Sequence, residues 1–138
     1  MADGRVRWLG YAGLLPFVTC AGVAYMPHPA SGLALQALVG YAAVIVSFLG
    51  GIHWGFGFVH RVSGWSPYAW GVTPSLLAWS ALLLPVGQGL LLLAATLVLA
   101  LAVDRRTYPR YGAGAWLGLR LQLTAVAFLS CLVGAWAG

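Results

Sequence analysis

Two ionisable side chains, His53 and Arg120, fall inside stretches that are otherwise almost free of charge. Ionisable groups are costly in lipid, so each marks a candidate site. His53 precedes the end of its apolar run by about six residues and Arg120 follows the start of another by about seven, which at 1.5 Å of rise puts both roughly 9–10 Å below one boundary. They are therefore expected to face each other at one depth. Asp104, at the end of a further apolar run, is the acidic group within reach of Arg120, although Arg105 or Arg106 competes for it. A single imidazole suffices as an axial ligand to haem or a chlorophyll-type pigment, and it can donate to a quinone carbonyl. No CxxC, CxxCH, HExxH or glycine-rich phosphate loop occurs, and two aspartates without any glutamate are too few for carboxylate catalysis. A non-enzymatic protein without a metal centre is expected.

The faces around these residues sharpen the candidates. Gly50 and Gly57 flank His53 at i−3 and i+4, leaving bare backbone on which a flat ligand can rest or a neighbouring helix can pack. On the same run Ala43, Ser47, Gly51 and Gly55 repeat every four residues as a small-residue packing seam, with Trp54 between the two faces. Gly114 and Gly118 repeat that spacing later in the chain. Arg120 shares a face with Trp116, Thr124, Ala127 and Cys131, the least apolar side of its run, and this favours the bundle interior over snorkelling to the head groups. Trp70 and Thr73 lie on one face of a run that Pro74 kinks, freeing the carbonyl of Trp70; Pro16 does the same to Ala12. His60 is about 10 Å from His53 along the axis, too far to share a metal. Cys20 and Cys131 are expected as apolar packers of matching depth.

The elements that must hold these residues are membrane spans. The chain is 62% hydrophobic and 7% charged with a mean hydropathy of +0.90, and this excludes both a soluble globule and a disordered chain. Helix breakers and charges divide it into five apolar runs at about 8–25, 33–59, 67–84, 88–103 and 113–136, each near the length needed to cross a bilayer. The fold class is all-α, a single bundle of five transmembrane helices. Span four, nearly pure Leu, Ala and Val, is expected on the lipid-facing outside.

Arg5, Arg7, Arg61, Arg105, Arg106 and Arg110 fall in the tail and the two loops on one side of such a bundle, and none falls on the other. The positive-inside rule then puts the N-terminus in the cytoplasm and the C-terminus outside. The net charge of +5 follows from that rule and from anionic lipid, without nucleic acid as a partner. Trp8, Tyr11, Trp65, Tyr68, Tyr108, Tyr111 and Trp116 read as an aromatic belt at the inner interface, Tyr25 and Trp136 as the outer one. The first run is too long for a signal-peptide core. Arginine without lysine in an Ala, Gly and Leu background suggests a bacterial source, hence a multi-pass protein of the inner membrane.

Three segments carry a resemblance: Gly10-Tyr11-Ala12-Gly13-Leu14-Leu15-Pro16-Phe17, the stretch Tyr41 to Gly55 ending Ser47-Phe48-Leu49-Gly50-Gly51-Ile52-His53-Trp54-Gly55, and Leu119-Arg120-Leu121-Gln122-Leu123-Thr124. With these the chain resembles the bacterial membrane family of unknown function that includes mitochondrial transmembrane protein 69. The resemblance implies a five-helix membrane protein and no reaction, and it rests on Gly13, Pro16, Ser47, Gly50, Gly51, His53, Trp54, Gly55, Arg120 and Thr124. The tryptophan-rich sensory proteins are an analogy of form alone, since their Trp-x-Pro-Pro segment is missing.

Two functions follow. One is a non-catalytic accessory subunit or assembly factor of a larger membrane complex, bioenergetic in kind, with other membrane subunits as partners. The other is a binding protein or carrier for a flat hydrophobic ligand (quinone, porphyrin or pigment) at His53, Trp54, Gly50, Gly57, Trp70, Thr73, Arg120 and Thr124.

Overall fold

Asp3 starts the first helix, its carboxylate accepting the Arg5 backbone N–H at 2.8 Å as an N-cap. In the computed structural model, which describes residues 3–138, six α-helices follow: α1 (Gly4–Ala12), α2 (Leu15–Tyr25), α3 (Ser31–Val59), α4 (Ser66–Leu82), α5 (Val86–Arg110) and α6 (Leu117–Ala137), the last entered through a 3₁₀ turn at Gly114–Trp116. No strand occurs among the described residues.

The first apolar run is a broken rod. Pro16 cannot donate to Ala12, and the helix lapses at Gly13 and Leu14 before resuming as α2. The Tyr41 hydroxyl of α3 donates to the Gly13 carbonyl at 2.6 Å, and its ring meets Phe17 edge-on at 4.9 Å. Counting α1 and α2 as one rod, four segments are long and apolar enough to cross a membrane: Gly4–Tyr25, Ser31–Val59, Val86–Arg110 and Gly114–Ala137. α4 has 17 residues, about 25 Å at 1.5 Å per residue, which is less than a hydrocarbon core of about 30 Å. The five-rod arrangement therefore contains four rods long enough to span a membrane and one shorter helix.

Two helix ends share one device. At the end of α5, Gly112 takes φ +78°, the Ala113 N–H reaches the Tyr108 carbonyl at 2.7 Å, and the Gly112 N–H reaches Pro109 at 3.2 Å, a Schellman motif. At the end of α3 the left-handed position is held by Arg61 at φ 52°, with Val62 N–H bonded to Gly57 O at 3.0 Å. A side chain other than glycine costs about 1–2 kcal/mol there.

α3 lies at the centre, packed against α2, α4, α5 and α6. α5 departs from expectation twice. It continues past Val103 to Arg110, because Asp104 points inward to partners while Arg105 and Arg106 stay exposed on the other side. Nor is it the outer helix: it packs on α3, α4 and α6 and buries a face that includes Leu93, Thr96, Leu97, Ala100, Asp104 and Tyr108. Lipid tails are as apolar as leucine, so a Leu/Ala/Val composition does not separate a lipid-facing helix from a protein-facing one.

Candidate functional site

Asp104 is the hub of a buried polar cluster joining three helices. Its Oδ1 is 2.8 Å from His53 Nε2 of α3, and its Oδ2 accepts from Arg120 Nε of α6 at 2.9 Å. A carboxylate paired with guanidinium only accepts, so the hydrogen between Asp104 and the imidazole is carried by Nε2. Arg120 Nη1 donates to Thr124 Oγ1, one turn further along α6, at 2.6 Å. Arg120 Nη2 also lies 2.7 Å from Oδ2, but off any hydrogen-bond direction, so this contact is purely electrostatic and Nη2 keeps no directed partner. His53 and Asp104 are 1% exposed, Thr124 4% and Arg120 7%. Rings of Phe56, Trp70 and Tyr108 surround the imidazole at centroid distances of 5.7, 6.2 and 6.5 Å. Away from water the charges of Arg120 and Asp104 interact strongly and cancel, which is the condition for keeping either one inside.

Asp104 is the counter-ion of Arg120 that the sequence offers, but the helix end and the competition from Arg105 and Arg106 expected around it are absent. Asp104 is instead enclosed, and both of those arginines are exposed. Arg120 is likewise inside the bundle and does not snorkel. Tyr108 leaves the expected aromatic belt for the core at 3% exposure, whereas Trp8, Trp65, Tyr25 and Trp136 stand on the surface.

Beside the cluster is a partly open cavity of about 620 Å³ between the α1–α2 rod, α3, α5 and α6. Leu9, Leu14, Phe48, Ile52, Leu119 and Leu123 contribute to its apolar walls, and Tyr108, Trp116, Arg120 and Thr124 are the lining residues with polar side-chain atoms. Of the expected ligand residues, only Arg120 and Thr124 line it. His53 stands behind them, with Nε2 committed to Asp104. An axial bond from Nε2 to haem or pigment is therefore blocked.

The remaining expected residues lie in the α3–α4 seam, which is closed. A Cβ at Gly50 would collide with the Gly71 carbonyl oxygen and sit 3.1 Å from Pro74 Cγ, and one at Gly57 would come within 2.7 Å of the Tyr68 ring. The bare backbone beside His53 is thus covered by α4, with no room for a flat ligand. Trp54 Nε1 donates to Tyr68 O at 2.9 Å, and Thr73 Oγ1 donates to Ala69 O one turn back at 2.9 Å. Trp70 supplies an edge to His53.

In the small-residue seam Ala43 is buried and Ser47 Oγ bonds back to Ala43 O at 3.0 Å, while Gly51 and Gly55 are exposed with open space where a Cβ would stand. Gly118 is equally open, and Gly114 lies beside Pro109. Close helix contacts within this chain are instead at Gly50, Gly57, Gly71, Gly89 and Gly134. His60 Nε2 lies 3.1 Å from the Tyr111 carbonyl, and Cys20 and Cys131 are free thiols. Among the described residues no three His, Cys, Asp or Glu side chains cluster as a metal site. Outside the spanning segments, the Arg5 side chain and then its backbone N–H hold the Asp3 carboxyl below its ordinary range.

Tyr108 and Phe56 are site residues that sequence reasoning missed. Both carried a signal, Tyr108 at i+4 from Asp104 and Phe56 at i+3 from His53.

Among known proteins, Transmembrane protein 69 of Xenopus tropicalis is 37% identical over 92% of this chain and 51% of its own length. The chain thus spans about half the length of that curated relative. No solved structure matches. The family described as "Protein of unknown function (DUF3429)" matches residues 2–136. Matched over nearly its whole length, the chain belongs to this family of unknown function, which includes Transmembrane protein 69.

Proposed function

We propose that this is a multi-pass protein of the bacterial inner membrane that binds a hydrophobic molecule in the cavity between the α1–α2 rod, α3, α5 and α6. One observation carries the proposal: an apolar cavity of about 620 Å³ that ends at the Asp104–Arg120–Thr124 cluster. Its size falls in the range of ligand pockets, roughly 300–1,000 Å³, and so does its pattern of apolar walls with a few fixed polar groups. The exposed arginines at positions 5, 7, 61, 105, 106 and 110 support a cytoplasmic N-terminus and, with it, a location of the cluster in the cytoplasmic half. Protein extracted gently from its native membrane is expected to carry an added small-molecule mass in native mass spectrometry. Leu123→Trp, which fills the cavity, is expected to lose it. A wild-type protein without adduct, or a filled variant that keeps it, defeats the proposal.

The accessory-subunit reading has its own observation. Ser47 is half-buried and Gly51 and Gly55 are exposed along α3, an unfilled seam on which another membrane helix can pack closely. Stoichiometric companion chains after mild extraction, lost in a Gly51→Leu variant, are the expected result; a protein that purifies alone refutes this second role.

A further inference from the structure

The side chains lining the cavity donate hydrogen bonds in excess of what they accept. Arg120 and Trp116 are donors only, and the lining includes no Asp, Glu, Asn, Gln or His. Thr124 Oγ1 already accepts from Arg120 Nη1, so its own O–H is free to donate. Arg120 Nη2, in a side chain only 7% exposed, has no directed partner. The Tyr108 phenol also lines the cavity, beside Asp104 and Arg120. A molecule whose polar end accepts hydrogen bonds suits this lining, and one that only donates them finds no acceptor in Arg120 or Trp116.

Charge narrows the class further. Asp104 neutralises Arg120 at 2.7–2.9 Å, so an anionic head would bring an uncompensated charge into a water-poor site, which is strongly disfavoured. Shape narrows it again, because the polar end is walled by the rings of Phe56, Tyr108 and Trp116 while the cavity runs along α3 to Ile45 between aliphatic walls. Eleven residues of helix make that run about 16 Å long.

We infer that the cavity takes a neutral ring carbonyl compound with a hydrocarbon tail, a quinone-class lipid. Its carbonyl oxygen accepts from Arg120, Thr124 and Tyr108, and its tail lies toward Ile45. This inference rests on the cavity reading above and adds the chemistry of the head group. No electron transfer is part of it.

The test uses the full chain in lipid nanodiscs and three probes with one common tail: a decyl-substituted benzoquinone, decanoate and decane. The quinone is expected to bind tightest, and an isotope-labelled carbonyl to show a lowered stretching frequency. Tyr108→Phe and Thr124→Val should each weaken quinone binding by about two- to tenfold, the worth of one hydrogen bond, and move the stretch toward its free value. Decane binding is expected to be unchanged in both, which shows that the cavity is intact. Decanoate binding as tightly as the quinone, or quinone affinity untouched in both variants, overturns the head-group assignment and leaves the cavity reading standing. If none of the three probes binds, both fall.

Discussion

α3 has two contrasting sides. Toward α4 it is packed backbone to backbone, with Gly50 against Gly71 and Pro74, Gly57 under Tyr68, and no charged residue between. Toward α5 and α6 it meets a carboxylate and a guanidinium paired with each other, with a cavity directly alongside. The first side leaves no space and needs no polar partner. The second holds expensive groups next to empty volume, an arrangement that packing alone does not call for. Close apposition of small residues accounts for one side of this helix, and the proposed capacity to bind would account for the other.

The largest expected effect tests the charged side. Asp104→Ala strands Arg120 and His53 and should destabilise the bundle by about 3–5 kcal/mol, read as loss of helicity during denaturant titration in detergent micelles. The double substitution Asp104→Leu with Arg120→Met should recover most of that loss, since apolar replacements of a buried pair are often neutral or better. It should still lose the bound molecule. Full ligand retention in that variant would erase the contrast between the two sides.

Next comes the packed side. Gly50→Ala forces α3 and α4 apart and should cost about 1–3 kcal/mol in the same titration, with ligand mass retained. A lost ligand would mean that the sides are not independent. Tyr41→Phe removes the bond to the Gly13 carbonyl on the α1–α2 rod, for an expected loss of about 1 kcal/mol. The smallest effect is a gain: Arg61→Gly relieves the left-handed position at the end of α3 and should raise stability by less than about 1 kcal/mol, because glycine also loses more freedom on folding.

Much of this arrangement was legible in the residues. Helix rise alone matched the depths of His53 and Arg120, the i+4 spacing paired Arg120 with Thr124, and Pro16 announced the broken rod. Asp104 was legible as the counter-ion of Arg120 but not as a buried partner of His53, because a carboxylate followed by two arginines looks like a helix end. The glycines of α3 were ambiguous for a different reason. Gly50 with Gly57, and Gly51 with Gly55, form two equivalent small faces, and spacing along one helix does not reveal which of them a neighbour covers. Tyr108 shows the same limit, since a tyrosine near an interface satisfies the belt pattern whether it points outward or inward.

The break at Gly13 and Leu14 has a consequence for motion. α1 buries none of its residues, packs on α6, and is tied there by a hydrogen bond from the Tyr11 hydroxyl to Gln122 Oε1. Yet Val6, Leu9 and Gly10 form part of the cavity wall. The segment that closes the cavity on this side is therefore the one with the least burial to give up, and its opening free energy should be the lowest in the fold. In hydrogen–deuterium exchange the amides of α1 should exchange well before those of α3, so the cavity is bounded by a rigid wall and a yielding one.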